Sequence, residues 1–310
     1  MMATPFVLGG HSFIQQLGSD APLPAEKRAE LVAACLDAGI VRFDTTYLPE
    51  RVALGKALAT LGRRSEAKII AWNFFHKFGP GEEVGGPAAY RPEHLRQMQD
   101  ELQTEFIDSL VVHGVPDERE DRRQLDLALS WQAQGHVGEL GVWHPGPEVA
   151  ERFAAAPASG AAASANAAPP GVVQHGAADR GNGANREVNP YRFMVRPYNV
   201  TTADAPAAFA AAHAIGWRTL AASPFVRGWE LNKLTKRVAE AEGMETGPAR
   251  SGLADAMLRY SLFAPHVDEV IVAIRRLEWV QANVASWRRG PLSPEERQWL
   301  DGACGLGTGS

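Results

Sequence analysis

The stretch Glu26–Asp44, EKRAELVAACLDAGIVRFD, contains the unit from which the whole chain is built. Glu26–Ala38 reads as an amphipathic helix. Gly39 ends it, because glycine takes the left-handed position after a helix without steric cost. The run Ile40–Asp44 then reads as a strand, so a helix feeds directly into an extended segment. Outward in both directions the alternation continues, with further runs at Phe6–Gly10, Lys68–Trp72, Ile107–His113, Val137–Trp143, Phe193–Pro197, Arg218–Ala222 and Val270–Ile274. Pro92 opens another helix, whose Leu95, Met98 and Leu102 form one apolar stripe. Strands that alternate with helices demand a parallel sheet, and eight of them close a (β/α)8 TIM barrel of the α/β class. The expectation is one barrel domain over residues 1–310.

Composition narrows the function. The chain of 310 residues is 45% hydrophobic and 22% charged, which suits a sizeable core. Lys and Arg number 31 against 36 Asp and Glu, a net charge of −5 with no basic run. Capture of nucleic acid or of an anionic membrane therefore has no electrostatic footprint, and a small-molecule substrate is expected. Cys35 and Cys304 are too few for a disulfide framework and are not spaced for zinc. No stretch approaches the roughly 18 apolar residues of a membrane span, and no leader pattern opens the chain. A cytoplasmic protein is expected. Residues 154–185, rich in Ala, Gly, Pro and Asn, break the rhythm and read as a mobile insertion between helix 5 and strand 6. Residues 302–310 read as a frayed tail.

In such a barrel, chemistry sits at the carboxyl ends of the strands. Those ends carry His11, Asp44, Asn73, His113, His144, Asn199, Ser223 and Arg275. Trp72 and Trp143 stand beside them.

The run Ala38-Gly39-Ile40-Val41-Arg42-Phe43-Asp44-Thr45-Thr46 resembles the AGI-x-x-FDTA segment of aldo-keto reductases. The resemblance continues, in order, through Leu54–Leu58, Asp108–Gly114, Gly138–Val142, Arg196–Asn199, Ser223–Gly228 and Ala282–Val284. It implies a nicotinamide-dependent oxidoreductase on a small carbonyl or alcohol, sugar-like ones included, with NADP or NAD as cofactor. It also implies a catalytic Asp, Tyr, Lys and His. Asp44 and His113 match. Pro49 stands where the Tyr should be, and Asn73 where the Lys should close strand 3. Tyr47 and Lys77 are displaced groups of the right type; the alternatives are that Tyr47 packs on the rim and Lys77 is a solvated loop cation.

At the cofactor site, the family's Ser-Asn pair, its Gln and its stacking aromatic are replaced by Trp143-His144, Val195 and Ala222. Trp143 or Trp72 could instead offer a flat face, though packing or a sugar platform is the more ordinary use of such a residue. Asn199 matches the family's motif after strand 6. Toward the phosphates, Ser223, Phe225, Arg227, Gly228, Arg275 and Arg276 fit a phosphate site after strands 7 and 8, and Asn283 matches an adenine contact. Pairing of Arg275 and Arg276 with acids such as Glu278 is the alternative.

Three other readings stay open. In one, Asp44 with His113 or His144 runs redox-silent acid–base chemistry as a lyase or isomerase. A variant adds a divalent metal on His11, Asp44, His113 and His144. In the third, the barrel is a non-enzymatic binding subunit.

Overall fold

A computed structural model describes residues 4–15, 21–77, 82, 85–145, 189–202, 204–226 and 228–306. The segment read as an insertion, residues 154–185, lies outside the described residues, as do residues 307–310 of the tail.

Eight parallel strands close a barrel in sequence order: β1 Phe6–Leu8, β2 Arg42–Thr45, β3 Lys68–Trp72, β4 Ile107–Val112, β5 Val137–Trp143, β6 Tyr191–Pro197, β7 Arg218–Ala222 and β8 Glu269–Val272. Pairing of β1 with β8, Phe6 to Val270 through Leu8 to Val272, seals the cylinder. Described helices lie between them: α1 Arg28–Asp37, α2 Leu48–Leu61, α3 Pro92–Leu102, α4 Glu118–Ala133, α5 Ala205–Ala214, α6 Gly228–Glu242, α7 Thr246–Leu262, α8 Leu277–Arg288 and α9 Pro294–Cys304.

Local chemistry explains the boundaries. Gly39 adopts φ +83° after α1, as a helix-ending glycine does. The first turn expected from Glu26 is a separate 3-10 turn, Ala25–Lys27. Several strands stop before the runs read from the sequence do: β1 at Leu8, β4 at Val112 and β8 at Val272. Their last residues leave the ladder to build the mouth. The tail is ordered further than expected, since α9 includes Gly302 and ends at Cys304, capped by Gly305 at φ +73°.

Side chains alternate across each strand, so every second residue points into the cylinder. Val7, Ile70, Trp72, Val111, Phe193, Val195, Leu220 and Ile271 fill it. Gly141 is required there, because a Cβ would lie 2.2 Å from the Phe193 ring. The opposite faces, among them Phe6, Leu8, Phe43 and Leu110, pack against the helices. At the amino-terminal pole the inward positions carry charge. Arg42 meets Glu269 at 2.7 Å, Arg218 meets Glu139 at 2.8 Å and Glu269 at 3.3 Å, and Ser109 donates to Glu139 at 2.7 Å. This alternating ring closes the floor.

Candidate active site

The same period of two delivers Asp44 and Trp72, the last inward residues of β2 and β3, Trp143 at the end of β5, and His113 just past β4, to the opposite pole. Asp44 is buried, and its Oδ1 accepts a hydrogen bond from the Trp72 indole Nε1 at 2.5 Å. Burial pushes its carboxyl up to about 7, against smaller opposing effects of bonds from Trp72, the Gly10 backbone and Thr46. Among the described residues no lysine hydrogen-bonds or ion-pairs with it.

Glu50, which sequence reasoning missed, lies beside it. It sits in the first turn of α2, fully buried, and its Oε2 accepts from the backbone N–H of Thr46 at 2.8 Å and of Tyr47 at 3.1 Å. Burial and the neighbouring Asp44 charge push its carboxyl up to about 8. Its Oε1 lies 3.8 Å from His11 Nε2. The carboxyl passes so close under the 3-10 turn Gly10–Ser12 that a Cβ on Gly10 would stand 2.1 Å from Oε2. The visible signal was an acid three residues after an extended residue at a helix start, the spacing of a capping box.

Aromatic rings line the mouth. Tyr47 stacks on His11 with centroids 5.9 Å apart and meets the Phe74 edge at 5.3 Å. Phe74 touches His113 edge-on at 5.5 Å and Trp72 at 6.5 Å. Trp143 stacks on His113 at 6.0 Å and crosses Trp72 at 5.2 Å. Phe74, Trp143, His113 and Tyr47 are all half-buried.

His113 hydrogen-bonds through Nδ1 to the Gly114 carbonyl at 2.9 Å. A carbonyl only accepts, so Nδ1 carries the hydrogen and Nε2 keeps its lone pair. Burial lowers the imidazole's pKa, and His144 lowers it further, while the Gly114 bond and Asp121 oppose them. The ring is an acceptor at neutral pH.

Several expected groups are placed elsewhere. Lys77 is exposed, with no hydrogen bond or ion pair to Asp44 or Glu50. The displaced Lys therefore does not rebuild the family's Asp–Lys link, because Trp72 already occupies the carboxylate. Asn73 is fully buried and consumed by structure: Nδ2 donates to the His113 carbonyl at 2.8 Å and to Gln124 Oε1 at 3.1 Å, and Oδ1 accepts from the His113 N–H at 3.1 Å. Asn199 is also buried, tying Ser223 O at 3.0 Å and accepting from Thr201. His144 is exposed at φ +49°. Among the described residues no three His, Cys, Asp or Glu group to hold a metal ion, so His11, Asp44, His113 and His144 form no such cluster. No described helix is long and apolar enough to cross a membrane.

Toward β7 and β8, Ser223 is exposed at φ +58° and Phe225 packs against the core. Arg227 lies outside the described residues, and Gly228 starts α6. Arg276 is the residue before α8, and its guanidinium lies 5.5 Å from the Trp279 ring; Arg250 of α7 lies 5.7 Å from the same ring. Arg250 and Trp279 are residues the sequence did not single out. Arg275 is half-buried after β8, and Asn283 is half-buried on α8.

No family model and no curated protein sequence matches the chain. Solved structures do. An aldo-keto reductase from Bacillus halodurans in its holo form is similar over 97% of this chain and 92% of its own, with a TM-score of 0.63 and 19% identity. A thermostable aldo-keto reductase in complex with the inhibitor epalrestat is similar over 97% and 95%, at 0.61 and 17%. A third structure, from Pseudomonas aeruginosa and assigned to the same group, is similar over 93% and 90%, at 0.60 and 17%. The chain has the (β/α)8 barrel fold of the aldo-keto reductases.

Proposed function

We propose that the protein is an oxidoreductase of aldo-keto reductase type, acting on a small carbonyl or alcohol at the aromatic mouth, with His113 carrying the proton. The observation that supports this most is the setting of His113. Its Nδ1–H is spent on Gly114, so Nε2 accepts the hydroxyl proton of an alcohol, and the imidazolium returns it to a carbonyl oxygen in the reverse direction. Phe74, which meets the His113 ring edge-on, holds the apolar face of the substrate and excludes water beside that nitrogen. Tyr47 stands on the other side of Phe74, where its hydroxyl can orient a polar end.

A nicotinamide cofactor, NADP or NAD, is part of the proposal; when bound, it supplies or takes the hydride. The residues present fit its anionic half. Two guanidiniums, Arg250 and Arg276, flank Trp279 at the start of α8, where helix N–H groups also favour a phosphate. Arg275, Ser223, Arg227, Gly228, Phe225 and Asn283 would complete that half. Val195 and Ala222 offer the carboxamide no polar side-chain atom, so Trp143 would hold the ring by its face. Two free cysteines agree with a cytoplasmic setting.

Titrating the protein with NADPH and with NADH, while following indole emission and melting temperature, tests the reading. Saturable changes below millimolar cofactor are expected, and no change at millimolar concentrations of either rejects it. A second reading, redox-silent lyase or isomerase chemistry, is favoured by one observation, the near-neutral titration of buried Asp44. It requires turnover without nicotinamide that Asp44→Asn abolishes.

A further inference from the structure

We infer that Asp121, together with Gln124 and Asn73, is a positioning group that sets which ring nitrogen of His113 is available for proton transfer. The inference deepens the proposed role of His113 and rests on it. Asp121 does not touch the ring. Its Oδ1 accepts the backbone N–H of Val115 at 3.0 Å. That N–H and the Gly114 C=O belong to one peptide unit, and a planar trans peptide points the two in opposite directions. Holding the N–H therefore aims the carbonyl, and the carbonyl so aimed is the one His113 Nδ1 meets at 2.9 Å.

The grip on the two peptides that flank His113 is equally complete. The His113 carbonyl accepts from Asn73 Nδ2 at 2.8 Å and from Gln124 Nε2 at 3.0 Å, and the His113 N–H is taken by Asn73 Oδ1 at 3.1 Å. Gln124 also donates to Asp121 Oδ1 at 2.8 Å, and its own Oε1 is fixed by Asn73 and by the Tyr90 N–H at 3.3 Å. Asp121 and Gln124 lie three apart on α4, on one helix face. Glycine at 114 makes this device necessary: with no side chain, its peptides have the widest rotational freedom, and only external bonds select one orientation. Three backbone groups around one histidine are thus held by three side chains from β3's end and α4. Asn73, standing where a catalytic lysine would be expected, serves the histidine instead. A histidine's tautomer follows the bond its other nitrogen makes, so the arrangement keeps Nε2 as the acceptor.

The titratable neighbours that act on the ring are Asp121, which favours its protonated form, and His144, which opposes it. Two substitutions separate charge from aim. Asp121→Asn removes the charge and keeps an acceptor for Val115; Asp121→Ala removes both.

The test is nitrogen-15 NMR of the histidine side chains in the full chain without substrate or cofactor, with His113 assigned by its loss in His113→Gln. In the wild type and in Asp121→Asn the neutral ring should carry its hydrogen on Nδ1. In Asp121→Ala a mixture with the Nε2–H form should appear, and kcat/KM for alcohol oxidation should fall about tenfold or more while Asp121→Asn retains most of it. Gln124→Ala, expected to act in the same direction, serves if Asp121→Ala does not fold. A wild-type Nε2–H ring, or a folded Asp121→Ala with wild-type nitrogen shifts, overturns the inference. Because the spectra need no turnover, failure of the oxidoreductase reading would show separately, as absent activity with the tautomer pattern intact.

Discussion

The indole of Trp72 donates to the carboxyl of Asp44 at 2.5 Å, and both side chains are buried. A neutral donor satisfies one lone pair but brings no positive charge, so it does not offset the desolvation of a carboxylate. A lysine in that place would hold the same carboxyl ionised. Here it titrates near neutrality instead, and with Glu50 it forms an acidic pair inside the barrel mouth.

Stability should therefore fall as pH rises through the neutral range. Asp44 and Glu50 titrate at about 7 and about 8 when folded, against roughly 4 in an unfolded chain. Between those values the folded chain binds more protons, so each contribution is intact at low pH and is lost as pH climbs to the folded value. Calorimetry should give a higher melting temperature at pH 5.5 than at pH 8.5. Asp44→Asn keeps an acceptor for Trp72 and should flatten part of that slope; an unchanged slope would show that Asp44 is ionised in the folded protein.

Arg51 should be the most sensitive position near the site. It is fully buried, bonds Glu101 at 2.5 Å, and donates to the carbonyls of Thr46, Trp72 and Phe74. These carbonyls belong to the last residue of β3 and to the loops after β2 and β3. Arg51→Ala should cost about 3–5 kcal/mol, since it strands a carboxylate and several carbonyls. Arg51→Lys, lacking the planar fork, should recover only part of it in denaturant titration.

The floor ring predicts an acid limb of opposite sign. Burial works to raise the Glu139 carboxyl, but bonds from Arg218 and Ser109 together with the Arg218 and Arg42 charges outweigh it and hold Glu139 below the ordinary carboxylate range. Its contribution is present above the unfolded pKa and is lost as pH falls through the lower folded value. Glu139→Gln should cost about 1–3 kcal/mol at neutral pH and make acid unfolding shallower. Burial keeps Glu269 above its usual value, so Glu269→Gln should cost less; equal costs would argue against this division.

For His113, pH–rate profiles are diagnostic. Carbonyl reduction needs the imidazolium, so kcat/KM should fall as pH rises through a midpoint below the ordinary histidine value, and alcohol oxidation should rise through the same midpoint. His113→Gln should lower kcat by about 100-fold to 10,000-fold with little change in melting temperature.

The barrel was legible because helix stops and apolar runs repeat, and the bounds of β3, β5 and β7 coincide with those runs. Strand ends were less legible at β1, β4 and β8, where the ladder stops before the runs read from the sequence do. At the site, Asp44 and His113 were legible from their places at strand ends and from the family pattern. The family pattern brought Tyr47 to the mouth, against His11 and Phe74, but not Lys77, because loop length decides where such groups fall and Lys77 lies exposed. Asn73 and Asn199 were read as functional because they sit at strand ends; their amides instead satisfy backbone groups. Glu50 was hidden because an acid in a first helical turn usually faces water, and only the passage of Gly10 over it shows its burial.

The stack of Trp143 on His113 has one more consequence. An indole face attracts a cation and is nearly indifferent to a neutral heterocycle, a difference of about 0.5–2 kcal/mol. The imidazole is thus clasped more firmly once it has gained a proton and relaxes on giving it up, so the loaded and spent forms differ in mobility as well as in charge.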